Sequence, residues 1–139
     1  MVLFLTKGDK TLNKAQNLYI NTQVNTAQPG ELTLMLYNGC LKFMKQALEG
    51  LNKKDYEAKN INLKKAQDII NELIITLDMK YEISNQLFAL YNFIRDRLFY
   101  ANIELDIASL QMCIDFIREL RDTWSEALKV VKSNNKVSI

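Results

Sequence analysis

The stretch that decides the fold is NTAQPGELTLMLYNG, Asn25–Gly39. It holds the one proline of the chain and two of its four glycines, and Leu32-Thr33-Leu34-Met35-Leu36-Tyr37 follows at once. Pro29-Gly30-Glu31 reads as the first turn of a helix. Proline tolerates a position whose N–H has no intrahelical partner, and a carboxylate suits the positive end of the helix dipole. No proline follows Pro29, so none interrupts the helices that come after it.

Outward from this start, four segments carry apolar residues at helical spacing, and none of any length alternates as a strand would. The spacing predicts helices at about Pro29–Leu51, Asp55–Leu77, Glu82–Asn102 and Asp106–Lys132. Asp55 and Asp106 stand where N-caps are needed. Gly50 with Asn52 is expected to stop the first helix, and Asn102 lies near the end of the third. Lys129, Lys132 and Lys136 suit the C-terminal end of the last. Short connections make successive helices antiparallel neighbours. The expected fold is therefore all-α: an antiparallel up-down bundle of four long helices, with a short N-terminal arm or helix packed on it. Residues 1–17 read as a mobile arm, 18–132 as the bundle and 133–139 as a frayed tail.

The totals exclude much chemistry. A chain of 139 residues suits one domain. No apolar run approaches the length of a membrane span or a signal-peptide core, so a cytoplasmic location is expected. Eighteen basic against 16 acidic residues give no electrostatic footprint for nucleic acid. The nearest basic cluster, Lys53-Lys54 with Lys59, Lys64 and Lys65, is interrupted by Asp55, Glu57 and Asp68 and reads as a solvated face. Histidine is absent, which removes Ser-His-Asp and Cys-His schemes and the Glu-x-x-His pattern of di-iron bundles. There is no glycine-rich phosphate loop and no C-x-x-C pair. Cys40 and Cys113 lie inside apolar patterns and read as small core residues, not as a disulfide. Acidic residues are spread along helix exteriors. No catalytic residue, metal ligand or cofactor is expected, and the protein does not read as an enzyme.

The apolar residues exceed what four single stripes need. The second helix has a clear stripe, Leu63, Ala66, Ile69, Ile70, Leu73, Ile74 and Leu77, with Ile61 and Ile75 on the opposite side. On the first helix, Leu34, Tyr37, Leu41 and Leu48 widen the stripe set by Leu36, Cys40, Phe43, Met44, Ala47 and Leu51. Ile83, Leu87, Leu90, Tyr91, Ile94, Leu98 and Ala101 form the third stripe. Phe88 and Phe99 flank it on one side, and Phe93 and Tyr100 on the other. The fourth buries Leu110, Cys113, Ile114, Ile117, Leu120, Trp124, Leu128 and Val131, with Met112, Phe116 and Val130 off it. A helix with two neighbours needs a wide arc, so the flanking residues of the first helix, Phe88 and Phe99 read first as core. Arg95, Arg97, Arg118 and Arg121 read as surface ion pairs. The surplus that remains suits a protein that holds amphipathic helices in grooves. Candidate partner-binding residues are Leu18, Tyr19, Val24, Leu34, Tyr37, Leu41, Ile61, Ile75, Phe93, Tyr100, Met112 and Phe116.

LYINTQVNTAQPGELTLMLYNGCLKFMKQAL, from Leu18, resembles the N-terminal signature of the flagellin-specific secretion chaperones, the FliS family. NLKKAQDIINEL, TLDMKYEIS, LFALYNFIRDRLFYANIELD and ELRDTWSEAL continue the resemblance in order to Leu128. It implies an antiparallel helical bundle with a short N-terminal segment. It also implies a cytoplasmic partner: the disordered C-terminal region of flagellin, kept from early polymerisation and delivered to the flagellar type III export gate. Tyr19 matches the tyrosine of the family's N-terminal segment. Gln28 departs from the usual Ser or Thr, so Glu31 lacks the partner of a capping box. Asn38 replaces the usual aspartate. By the residues alone, another helical adaptor or a weak homodimer stays open.

Overall fold

The computed structural model describes residues 30–137. The arm 1–17, together with Leu18, Tyr19, Val24, Gln28 and Pro29, lies outside the described residues. Four helices follow one another: α1 (Glu31–Asn52), α2 (Tyr56–Ile75), α3 (Glu82–Glu104) and α4 (Ile107–Val137). Each packs on the next, and α4 closes the ring against α1. The connections 53–55, 76–81 and 105–106 are too short for anything but reversal. The result is the expected up-down bundle.

Two of the predicted caps form as expected. Asp55 Oδ1 accepts the Ala58 N–H at 3.2 Å, and Asp106 Oδ1 accepts the Ala108 N–H at 3.1 Å. The start of α1 differs from the expected turn. Helix begins at Glu31, and Gly30 is its N-cap, in the left-handed region at φ 92°. A Cβ there would stand 2.9 Å from Leu128 Cδ2, the tip of a side chain that can give way, so it is the backbone angle that calls for glycine. Gly50 is also not a stop. It is helical and buried, and a Cβ on it would meet Asp55 O and Lys59 N at 3.0 Å. Its role is to let the end of α1 touch the start of α2, while Lys54 takes the left-handed turn at φ 59°. The helix of α4 runs past Lys132 to Val137, with no Gly or Pro to end it.

The core is built from the predicted stripes, with Leu63, Ile70, Leu73, Ile94, Leu98, Leu110, Ile114 and Ile117 buried at its centre. Cys40 and Cys113 are buried and free. Burial pushes the Cys113 thiol up to about 12, against a smaller opposing pull from Arg97. Across the diagonal from α1 to α3, Tyr37 and Tyr91, each 1% exposed, share a hydroxyl hydrogen bond of 2.6 Å. At one end, buried Lys59 donates to Asn102 O and Oδ1 at 3.1 and 2.6 Å. This ties the start of α2 to the end of α3, where the last carbonyls favour a cation. At the other end, Trp124 donates its indole N–H to Gly30 O at 2.7 Å, and Lys132 pairs with Glu31 at 2.9 Å. Both contacts hold α4 to the first turn of α1.

Candidate functional site

The predicted partner-binding residues separate into three groups. Tyr37 and Leu41 are core, and Leu34 is half-buried. The wide arc of α1 is covered because α2 and α4 flank it, so it offers no open face there. Ile61 and Ile75 are exposed but lie 14 positions apart on α2. At 1.5 Å per residue that is about 21 Å, so they are separate apolar points and not one surface.

Phe93, Tyr100, Met112 and Phe116 do come together, along the seam of α3 and α4. Three contacts fix the register of these antiparallel helices. The Phe93 and Phe116 rings meet edge to face with centroids 6.2 Å apart. The Cys113 thiol lies 3.7 Å from Ile94 O. Arg97 Nη2 donates to Ser109 Oγ. Phe93, Arg97 and Tyr100 are spaced i, i+4, i+7 and share one edge of α3. Facing them on α4 are Phe116, Met112 and Ser109, at the same spacing in reverse. Phe93 and Tyr100 are each 43% exposed, Met112 37% and Phe116 36%. These side chains are half in water, side by side, on a surface no other described element covers.

Two residues that were expected to be core join the exposed set. Phe88 and Phe99 are exposed on the outer face of α3. Towards the α3–α4 turn, Ile103, Leu105 and Ile107 are exposed as well. Leu105 holds φ 53° there, a left-handed angle unfavourable for a leucine. Ile83, near the start of α3, and Val131, near the end of α4, were expected on core stripes and are exposed.

Of the four arginines expected in surface ion pairs, two form them and two do not. Arg118 and Arg121 do pair with Asp115 and Asp122, at 2.9 and 2.7 Å. Arg95 instead bonds the side-chain oxygens of Asn71 and Asn92. Arg97 has no carboxylate in ion-pair range among the described residues. It lies 4.6 Å from the centroid of the Tyr100 ring, and its one hydrogen bond goes to buried Ser109, which in turn donates to Asp106 Oδ2 at 2.8 Å. Hydrogen bonds from Ser109 hold the Asp106 carboxyl below its usual range, and the field of Arg97 adds to this. Arg97 Nε is buried with no partner.

The described residues hold no cluster of His, Cys, Asp and Glu fit for a metal. None of their helices is long and apolar enough to cross a membrane. What the seam can do chemically is bury apolar side chains from another chain.

Comparison with known proteins bears on the family and the fold. Residues 11–131 match the family described as flagellar protein FliS. A flagellar secretion chaperone of Bacillus subtilis (strain 168) is 46% identical over 111 residues, covering 80% of this chain and 84% of the relative. The corresponding chaperone of Escherichia coli (strain K12) is 30% identical over 112 residues, covering 78% and 82%. A crystal structure of a bacterial flagellar chaperone superposes with TM-score 0.68 at 22% identity, over 84% of this chain and 96% of that one.

Proposed function

Because the chain belongs to the FliS family of flagellar secretion chaperones, we propose that it binds the disordered C-terminal region of flagellin in its apolar groove. In the cytoplasm it keeps that segment from polymerising early and aids its delivery to the flagellar type III export apparatus. The observation that carries the reading is the half-exposed row Phe93, Tyr100, Met112 and Phe116 along the α3–α4 seam. An unassembled amphipathic segment pays conformational entropy to fold, and burial of its apolar face on such a row offsets that cost. A chaperone role needs no catalytic group.

The seam is the best-supported contact, and the upstream residues Leu18, Tyr19 and Val24 are proposed to take part. They form an apolar island in a polar arm. The proposal is that this island competes with flagellin for the groove. Deleting residues 1–24 then strengthens flagellin binding measured by calorimetry, whereas unchanged or weaker affinity counts against a competing arm. Without flagellin, an open groove also favours weak self-association that the flagellin segment reverses in sedimentation. The decisive test of the main reading is a pull-down with the C-terminal peptide of flagellin. Failure to bind would sink it.

A further inference from the structure

We infer that Arg97 is a specificity anchor at the centre of the α3–α4 groove, pairing with a carboxylate side chain on the amphipathic helix that docks there. This rests on the reading that the groove takes a flagellin segment, and it adds the chemistry by which that segment is recognised. Phe93 and Tyr100 stand one turn to either side of Arg97 on α3, and Ser109, Met112 and Phe116 line the facing edge of α4. The guanidinium therefore sits within a row of apolar side chains.

Its donors are mostly unspent. Nη2 is used by Ser109. Nε is buried without a partner. Nη1 makes no hydrogen bond among the described residues and is not fully buried, so water reaches it. The nearest balancing charge, Asp106, reaches Arg97 only through the Ser109 hydroxyl, and that carboxylate already accepts the Ala108 N–H and the Ser109 hydroxyl. A half-buried cation with a free donor and no direct counter-ion is complementary to an anion. The Tyr100 ring under it fixes the plane of the guanidinium, so less freedom is lost when a partner arrives. When an apolar helix covers the groove, water leaves Nη1. An uncharged partner would then strand that donor, and an Asp or Glu would satisfy it with a charge-assisted bond. A groove of this composition accepts apolar anchors at i, i+3 or i+4, with one acidic residue between them. It discriminates against a helix with Lys or Arg at that place.

The test uses the intact chaperone and synthetic C-terminal flagellin peptides, by calorimetry. Each Asp and Glu of the peptide is changed singly to Asn or Gln. One such change is expected to weaken binding by about tenfold or more, and the same change is expected to have little effect against Arg97→Met. Arg97→Lys keeps the charge and recovers part of the loss. If no single amide change weakens binding to the unmodified chaperone, the inference falls while the flagellin reading stands. If the unmodified chaperone binds no peptide, both fall. The peptide scan needs no protein variant, so a poorly folding Arg97→Met does not blunt it.

Discussion

The Tyr37–Tyr91 pair offers a prediction whose size can be worked from its geometry. The two phenols come from diagonal helices and meet at 2.6 Å in a core that is otherwise apolar. Burial raises the pKa of both, the more so for Tyr91, so at neutral pH both are uncharged phenols. Tyr91→Phe keeps the ring and deletes one hydroxyl, stranding that of Tyr37. Tyr37→Phe strands Tyr91 in the same way. A buried polar group left without its partner costs about 1–3 kcal/mol. Two phenols sharing one bond already leave one O–H proton without an acceptor inside the pair. The single variants should therefore fall in the lower part of that range, at about 1–2 kcal/mol each. The double variant removes both hydroxyls and keeps both rings, and it is expected to be near neutral. The coupling between the sites is then about as large as the sum of the single losses. Urea unfolding followed by helical circular dichroism measures all four proteins. If the losses simply add in the double variant, the pair contributes nothing as a pair and the reasoning is refuted.

Other outcomes follow from the same geometry. Gly30→Ala forces a Cβ against Leu128 at a left-handed φ and is expected to lower stability by more than about 1 kcal/mol, read as a lower urea midpoint; an unchanged midpoint would contradict the stated need for glycine. Leu105→Gly relieves the left-handed angle of an exposed leucine and is expected to raise stability by about 0.5–1 kcal/mol, with a drop in melting temperature as the opposing result. The pH dependence has a definite sign. Cys113 is raised from its ordinary 9.0 to about 12 by burial, and Cys40, Tyr37 and Tyr91 are raised by burial too. Groups raised in the folded state contribute stability in full below their unfolded pKa and lose it as pH climbs through the folded value. Stability should therefore be flat to about pH 9 and fall towards pH 12. At pH 8 both thiols should resist a disulfide reagent until urea unfolds the chain, and rapid labelling of the folded protein would count against their burial.

The sequence displays the fold because local signals and global packing agree. Apolar spacing, Asp55 and Asp106 as caps, and short polar breaks each point to four antiparallel helices, and each recurs in the structure. The misplacements have one physical origin: a helical wheel gives the angle of a residue but not what stands opposite it. Tyr37 and Leu41 widen the face of α1, and two neighbours cover them. Phe88 and Phe99 widen the face of α3 by similar angles, and nothing described covers them. Gly50 carries the residue type of a stop, yet its missing Cβ serves the approach of α2. That requirement becomes visible only when Asp55 and Lys59 are in place beside it.

The site was half legible for the same reason. Phe93 and Tyr100, or Met112 and Phe116, can be picked as surplus on their own helices, but only the register of α3 against α4 joins the pairs into one row. Arg97 was hidden more deeply. Asp96 sits beside it and Glu104 lies seven positions on, so the sequence offers carboxylates for an ordinary surface pair. The structure turns Arg97 along the seam towards Ser109, away from both. A row of apolar side chains alone would accept many amphipathic helices, since burial of apolar area is non-directional. A cation in the middle of the row, with a donor unspent, makes the same groove selective, because a mismatched helix must strand it. On the proposed reading, affinity and choice of partner rest on different residues of one seam: the aromatic and methionine side chains would hold an amphipathic helix, and Arg97 would decide which helix is held.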